Sequence, residues 1–97
     1  MLTLPIKKEW FDMIVAGEKK EEYREIKPYY LSRFQNHFYP DGNNDLITVR
    51  FRNGYGEDKP TIECQCKLSR GKGKEEWGAE RNKEYFVLTI LDFKNLN

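Results

Sequence analysis

Three ionisable residues within six positions, Lys19, Glu22 and Arg24, concentrate chemical capacity in the run Gly17-Glu18-Lys19-Lys20-Glu21-Glu22-Tyr23-Arg24. A lysine buried beside Arg24 would hold its proton less tightly and could serve as a base, whereas one paired with Glu22 would hold it more tightly. Alternatively, Glu22 orients Arg24 through a charge-assisted hydrogen bond, and the planar guanidinium is offered to a phosphate or a base edge. The plain alternative is a ladder of surface ion pairs, worth little energetically. Spacing alone leaves all of these open.

Positive charge gathers in a second place. Residues 50–74 hold seven Lys or Arg against three acids. Arg50 and Arg52 share the outward face of one expected strand, with Asn53 and Tyr55 in the glycine-rich corner just beyond it. Arg70-Gly71-Lys72-Gly73-Lys74 reads as a flexible basic loop whose glycines let backbone approach a phosphate closely, or as a simple solvated turn. Aromatics interleaved with cations suit single-stranded RNA, where unstacked bases lie on rings and Lys or Arg holds the phosphates. The Gly-Lys-Gly lacks the P-loop pattern, which argues against that kind of nucleotide hydrolysis.

Trp77 is either a base platform at a cleft mouth or a plug closing one end of a barrel. Glu75, Glu76 and Glu80 are the carboxylates near the basic loop, available as a second acid or base if the protein is an enzyme. His37, at the end of an aromatic helix, has no nucleophile at a suggestive spacing and reads as structural. Cys64 and Cys66 point the same way on a strand, a poor geometry for a mutual disulfide, and with one histidine they do not complete a zinc ligand set. They read as small core-facing thiols, and no metal or cofactor is expected.

The elements that must position these groups follow from hydrophobic period. Leu2, Leu4 and Ile6 alternate as a short strand, with Pro5 tolerable near an edge. Trp10, Phe11, Ile14 and Val15 make one helical stripe over 7–16, capped by Gly17. The charged run after it, taken as a strand, puts Glu22 and Arg24 on one face and Glu21, Tyr23 and Glu25 on the other, so that one charged row faces something other than an apolar core, such as a cleft. Pro28 opens a second helix over 28–38 carrying Tyr30, Leu31, Phe34 and Phe38, before a turn at 39–44. Alternation then marks strands at 46–52 and 61–69, a helical turn within 75–80, and a strand at 85–91 that is apolar on both faces and so central.

This order describes an α+β domain with a small curved sheet or partly closed barrel of about five to six strands and two main flanking helices. At 97 residues the chain makes a single domain over 1–97 and buries roughly two-thirds of its unfolded surface. Aromatics at 14% exclude a disordered tail, and a net charge of +1 gives no global field to attract a polyanion, so any nucleic-acid site is a local patch. No apolar run reaches the roughly 18 residues of a membrane span, and no secretory signal precedes the first strand, so a cytoplasmic protein without membrane partners is expected. Oligomeric state is not legible.

The run Gly17 to Arg24 matches G-x-K-x-x-E-x-R and falls directly after the first helix. With Leu4-Pro5-Ile6, Glu9 to Ile14, Phe51 to Tyr55 and Glu76 to Glu80, nearly the whole chain resembles the ASCH domain family, in its small stand-alone bacterial and phage type. The resemblance implies a PUA-like β-barrel that binds RNA or a nucleoside or nucleotide in a cleft lined by the motif residues Lys19, Glu22 and Arg24; the basic and aromatic residues read above add Arg52 and Tyr55 to that lining and Arg50, Asn53, Lys72 and Trp77 as further ligand contacts. Some members are enzymes. One branch deacetylates acetylcytidine with the motif Lys, a Thr and a further Glu, and ribonuclease activity has been attributed to another member. Here Glu22 stands where that branch has Thr, a departure that removes the hydroxyl group its chemistry uses; the alternative to a binding module is a small metal-free hydrolase of a nucleoside amide or RNA phosphodiester, with Lys19 and Glu22 as its catalytic pair.

Overall fold

The computed structural model describes residues 2–34 and 46–96. In chain order they form β1 (Leu2–Ile6), α1 (Lys8–Val15), β2 (Glu21–Glu25), α2 (Pro28–Phe34), β3 (Leu46–Asn53), β4 (Thr61–Lys72), a 3-10 turn (Glu75–Trp77) and β5 (Glu84–Asn95). The strands make one five-stranded sheet in the order β1-β3-β4-β5-β2, curled into a half-barrel. Only β1 and β3 run parallel; the other three pairings are antiparallel.

Alternation decides which face is inside. On β3, Ile47, Val49 and Phe51 point inward opposite Cys66, Cys64 and Ile62 of β4, and all six are buried. The intervening Thr48, Arg50 and Arg52 lie on the outer face opposite Gln65, Glu63 and Thr61. Cys64 and Cys66 are free thiols within the core. Helix α1 buries Phe11 and Ile14 against the sheet, while Lys8 and Asp12 pair on its wet side. Gly17 follows at φ +79°, the left-handed turn that ends the helix.

β5 lies inside the sheet, between β4 and β2, and its Tyr85, Phe86, Val87 and Leu88 are all buried. Phe86 and Leu88 join the main core, while Tyr85 packs near Tyr23 and its hydroxyl accepts a hydrogen bond from Glu80 N at 3.0 Å. The chain after β4 therefore covers the second face of β5, which is why apolar residues occur on both.

Several expected boundaries move. α1 begins and ends one residue inside 7–16, β3 includes Asn53, and the helical turn is the three residues 75–77. The last strand runs to Asn95 rather than stopping at 91. The expected basic loop at 70–74 is corrected: β4 continues through Arg70, Gly71 and Lys72, paired with Phe86, Tyr85 and Glu84. Ladder pairing to β5 outweighs the flexibility of a single strand glycine. The expected end of α2 at 38, with Phe38 and His37, and the turn at 39–44 lie outside the described residues.

Candidate functional site

Following Gly17, the chain carries Lys19 inward, and its ammonium is sealed from solvent, with the residue 1% exposed. Lys19 Nζ donates to Glu21 O and to Trp77 O at 3.1 Å and pairs with Glu22 Oε1 at 3.1 Å. The rings of Trp10 and Tyr23 lie 5.3 and 5.1 Å from it, within cation–π range. Burial nevertheless pushes the Lys19 ammonium below its ordinary value of 10.5, because desolvation outweighs the opposing pull of Glu22.

Glu22 is buried on the inner face of β2 and uses both carboxylate oxygens: Oε1 meets Lys19, and Oε2 accepts from Arg24 Nη2 at 2.6 Å. Arg24, two residues along the same face, also donates through Nη1 to Tyr30 Oη at 3.1 Å and through Nη2 to Pro5 O at 3.0 Å. Pro5 belongs to the opposite edge of the sheet, so this guanidinium joins β2 to β1 across the mouth of the half-barrel. Its Nε is buried without a hydrogen-bond partner.

Behind the motif, Tyr23 faces the other way. Its hydroxyl donates to Glu21 Oε1 at 2.7 Å and accepts from Lys74 N at 2.9 Å, and burial raises the phenol well above its ordinary 10.0. Gly73 passes so close that a Cβ there would lie 2.6 Å from Tyr23 Cζ and 2.7 Å from Ala79 Cβ. The second glycine of the Gly-Lys-Gly run is thus explained by the Tyr23 ring, without any phosphate.

Between β1, β2 and the start of α2 opens a cleft of about 280 Å³, just below the ~300–1,000 Å³ usual for small-molecule sites. Glu22 and Arg24 form its inner polar part, Trp10 and Tyr30 supply aromatic surface, and the exposed Lys7, Lys27 and Glu25 stand at its rim, Glu25 being paired with Lys83 at 3.4 Å. Neither rim lysine has a carboxylate partner among the described residues, although Lys27 Nζ lies 5.7 Å from the Tyr30 ring. The arrangement can hold a small flat group, offer it a fixed guanidinium and carboxylate, and attract an anion at the edge.

The structure brings Lys19, Glu22 and Arg24 together but gives only Glu22 and Arg24 to the cleft; Lys19 lies behind them. Arg50 and Arg52 are on the outer sheet face, where Arg50 Nε meets Glu63 Oε1 at 3.2 Å and Arg52 Nε donates to Thr61 Oγ1 at 3.3 Å. They do not line the cleft, because period-two alternation turns them away from the face that carries Glu22. Asn53 ends β3, with its amide donating to Pro60 O. Tyr55 borders a neighbouring hollow, and Lys72 is an exposed residue of β4. Trp77 contributes its backbone carbonyl to Lys19, while its half-buried ring lies 4.4 Å from Lys74 Nζ.

Of the three carboxylates near the basic stretch, Glu75 pairs with Arg81 and Glu80 with Lys83 in exposed positions, and none of Glu75, Glu76 and Glu80 lines the cleft. Trp10 and Tyr30, on the apolar stripes of the two helices, pack against the core as half-buried residues and also line the cleft; for Tyr30 the hydroxyl is the signal in the sequence, since a buried Tyr needs a polar partner. Among the described residues no cluster of three or more His, Cys, Asp or Glu is placed to hold a metal ion, and no helix is long and apolar enough to cross a membrane. No protein-family model, curated protein or solved structure matches the chain.

Proposed function

We propose that the chain is an ASCH-type domain of PUA-like fold that binds a nucleobase, as a modified nucleoside or as a base of single-stranded RNA, in the cleft between β1 and β2. The observation that carries this reading is the Glu22–Arg24 pair, 2.6 Å apart at the cleft, both on the inner face of β2. A carboxylate and a guanidinium with fixed geometry match the donors and acceptors of a base edge. Trp10 and Tyr30 offer surfaces for the flat ring.

Binding of ribonucleosides, acetylcytidine among them, and of short single-stranded RNA tests the reading. With two rim lysines engaging phosphates, a rise from about 50 to about 200 mM salt weakens RNA binding about sevenfold, while nucleoside binding hardly changes. Lys27→Ala flattens the salt dependence for RNA. Absence of binding by every nucleoside and RNA tried would refute the proposal.

One observation favours hydrolysis as a second reading: the buried Lys19 with weakened proton affinity touches Glu22. Since Lys19 is closed off by two carbonyls, Glu22 would carry the proton and Lys19 would position it. Turnover of acetylcytidine that disappears in folded Glu22→Gln would support this reading.

A further inference from the structure

Resting on the reading of the β1–β2 cleft as a base site, we infer that a second base-binding subsite lies on the far side of Lys7, so that the unit recognised is two consecutive nucleotides of a single strand. A hollow of about 350 Å³ opens there, walled by Pro5, Ile6, Lys7, Gly54 and Tyr55. Pro5, Ile6 and Lys7 also wall the first cleft, so one short stretch of chain divides two spaces of comparable size.

The two spaces differ in chemistry in a way that suits neighbouring nucleotides. The first holds the Glu22–Arg24 pair and can discriminate a base by its edge. Among the described residues, the second has Lys7 as its only charged wall residue and is otherwise apolar and aromatic, which favours stacking with little preference among bases. Tyr55 is 83% exposed, so its ring does not hold the core together. It is nonetheless displayed on a shaped corner: Gly54 and Gly56 take φ of +96° and +104°, and Gly54 N donates to Ile6 O at 3.1 Å, fastening the corner to the end of β1.

Lys7 stands at the divide, exposed, in extended backbone just before α1, and without a carboxylate partner among the described residues. A phosphate joining two bases seated on either side falls beside this ammonium. Charge complementarity therefore selects a dinucleotide segment over two separate nucleosides.

The test measures binding of the four ribonucleosides and of dinucleoside monophosphates built on the tightest of them. The dinucleotide binds about tenfold more tightly than its nucleoside, Tyr55→Ala removes that gain while leaving the nucleoside within about twofold, and Tyr55→Phe keeps it. Lys7→Ala reduces the gain and its salt dependence. A dinucleotide no tighter than the nucleoside, or a gain that survives Tyr55→Ala, overturns the second subsite and leaves the first cleft standing. Failure of nucleosides and dinucleotides alike to bind the wild type overturns the base-site reading, and this inference with it.

Discussion

Two ion pairs in this protein have the same 2.6 Å separation: Lys8–Asp12 on the wet side of α1 and Arg24–Glu22 at the cleft. Burial, not distance, separates their worth. Asp12→Asn is expected to cost no more than about 0.5 kcal/mol, because water solvates both partners. Glu22→Gln leaves a buried ammonium and a buried guanidinium without their shared anion, and is expected to cost about 3 kcal/mol or more in urea unfolding. Comparable losses in the two variants would contradict this account. The same cluster shapes the alkaline stability profile. Lys19 is depressed in the folded state, so the unfolded chain binds more protons and stability climbs as pH rises towards 10.5, the ordinary lysine value. Tyr23 is raised, so its contribution is complete below 10.0 and drains away above it. Urea midpoints between pH 7 and 11 should therefore lose their rise in Lys19→Met and their high-pH fall in Tyr23→Phe.

At the scale of elements, the two glycines near the end of β4 make opposite demands. Gly73 abuts Tyr23 and Ala79, whereas a Cβ on Gly71 meets nothing within 4 Å. Gly73→Ala should lower the melting temperature clearly, while Gly71→Ala should be neutral or stabilise by up to about 0.5–1 kcal/mol, as removal of a strand glycine does. Thermal melts of the pair decide it; equal melting temperatures would mean that the segment does not press on Tyr23. In the sequence both glycines read as loop punctuation, because residue type reports local flexibility while β4 is held by its partner across the sheet. The split of the charged strand was legible, since Glu22 and Arg24 sit two residues apart and period two forces them onto one face. Burial of Lys19 was not: within a charged run a lysine looks solvated, and the Trp77 carbonyl that receives it lies 58 positions away. The parallel β1–β3 pairing and the approach of Pro5 to Arg24 are likewise long-range and leave no local mark.

At the scale of the molecule, the described strands form an incomplete cylinder whose edge strands β1 and β2 are bridged by the Arg24 guanidinium. Arg24→Met should therefore loosen the rim before the centre: amides of β1 and β2 exchange faster with solvent deuterium, while those of the β4–β5 ladder keep their protection. Uniform loss of protection would instead make Arg24 a determinant of global stability. Among the described residues β1 and β2 each pair on one side only, and such an edge is the usual template on which another chain adds a strand and starts aggregation. Here β1 carries Pro5, which has no amide proton to give, and β2 is Glu-Glu-Tyr-Arg-Glu, a sequence that burdens an incoming strand with charge. The charged residues that make the cleft polar thus also discourage uncontrolled self-association, and the sheet can stay open without inviting copies of itself.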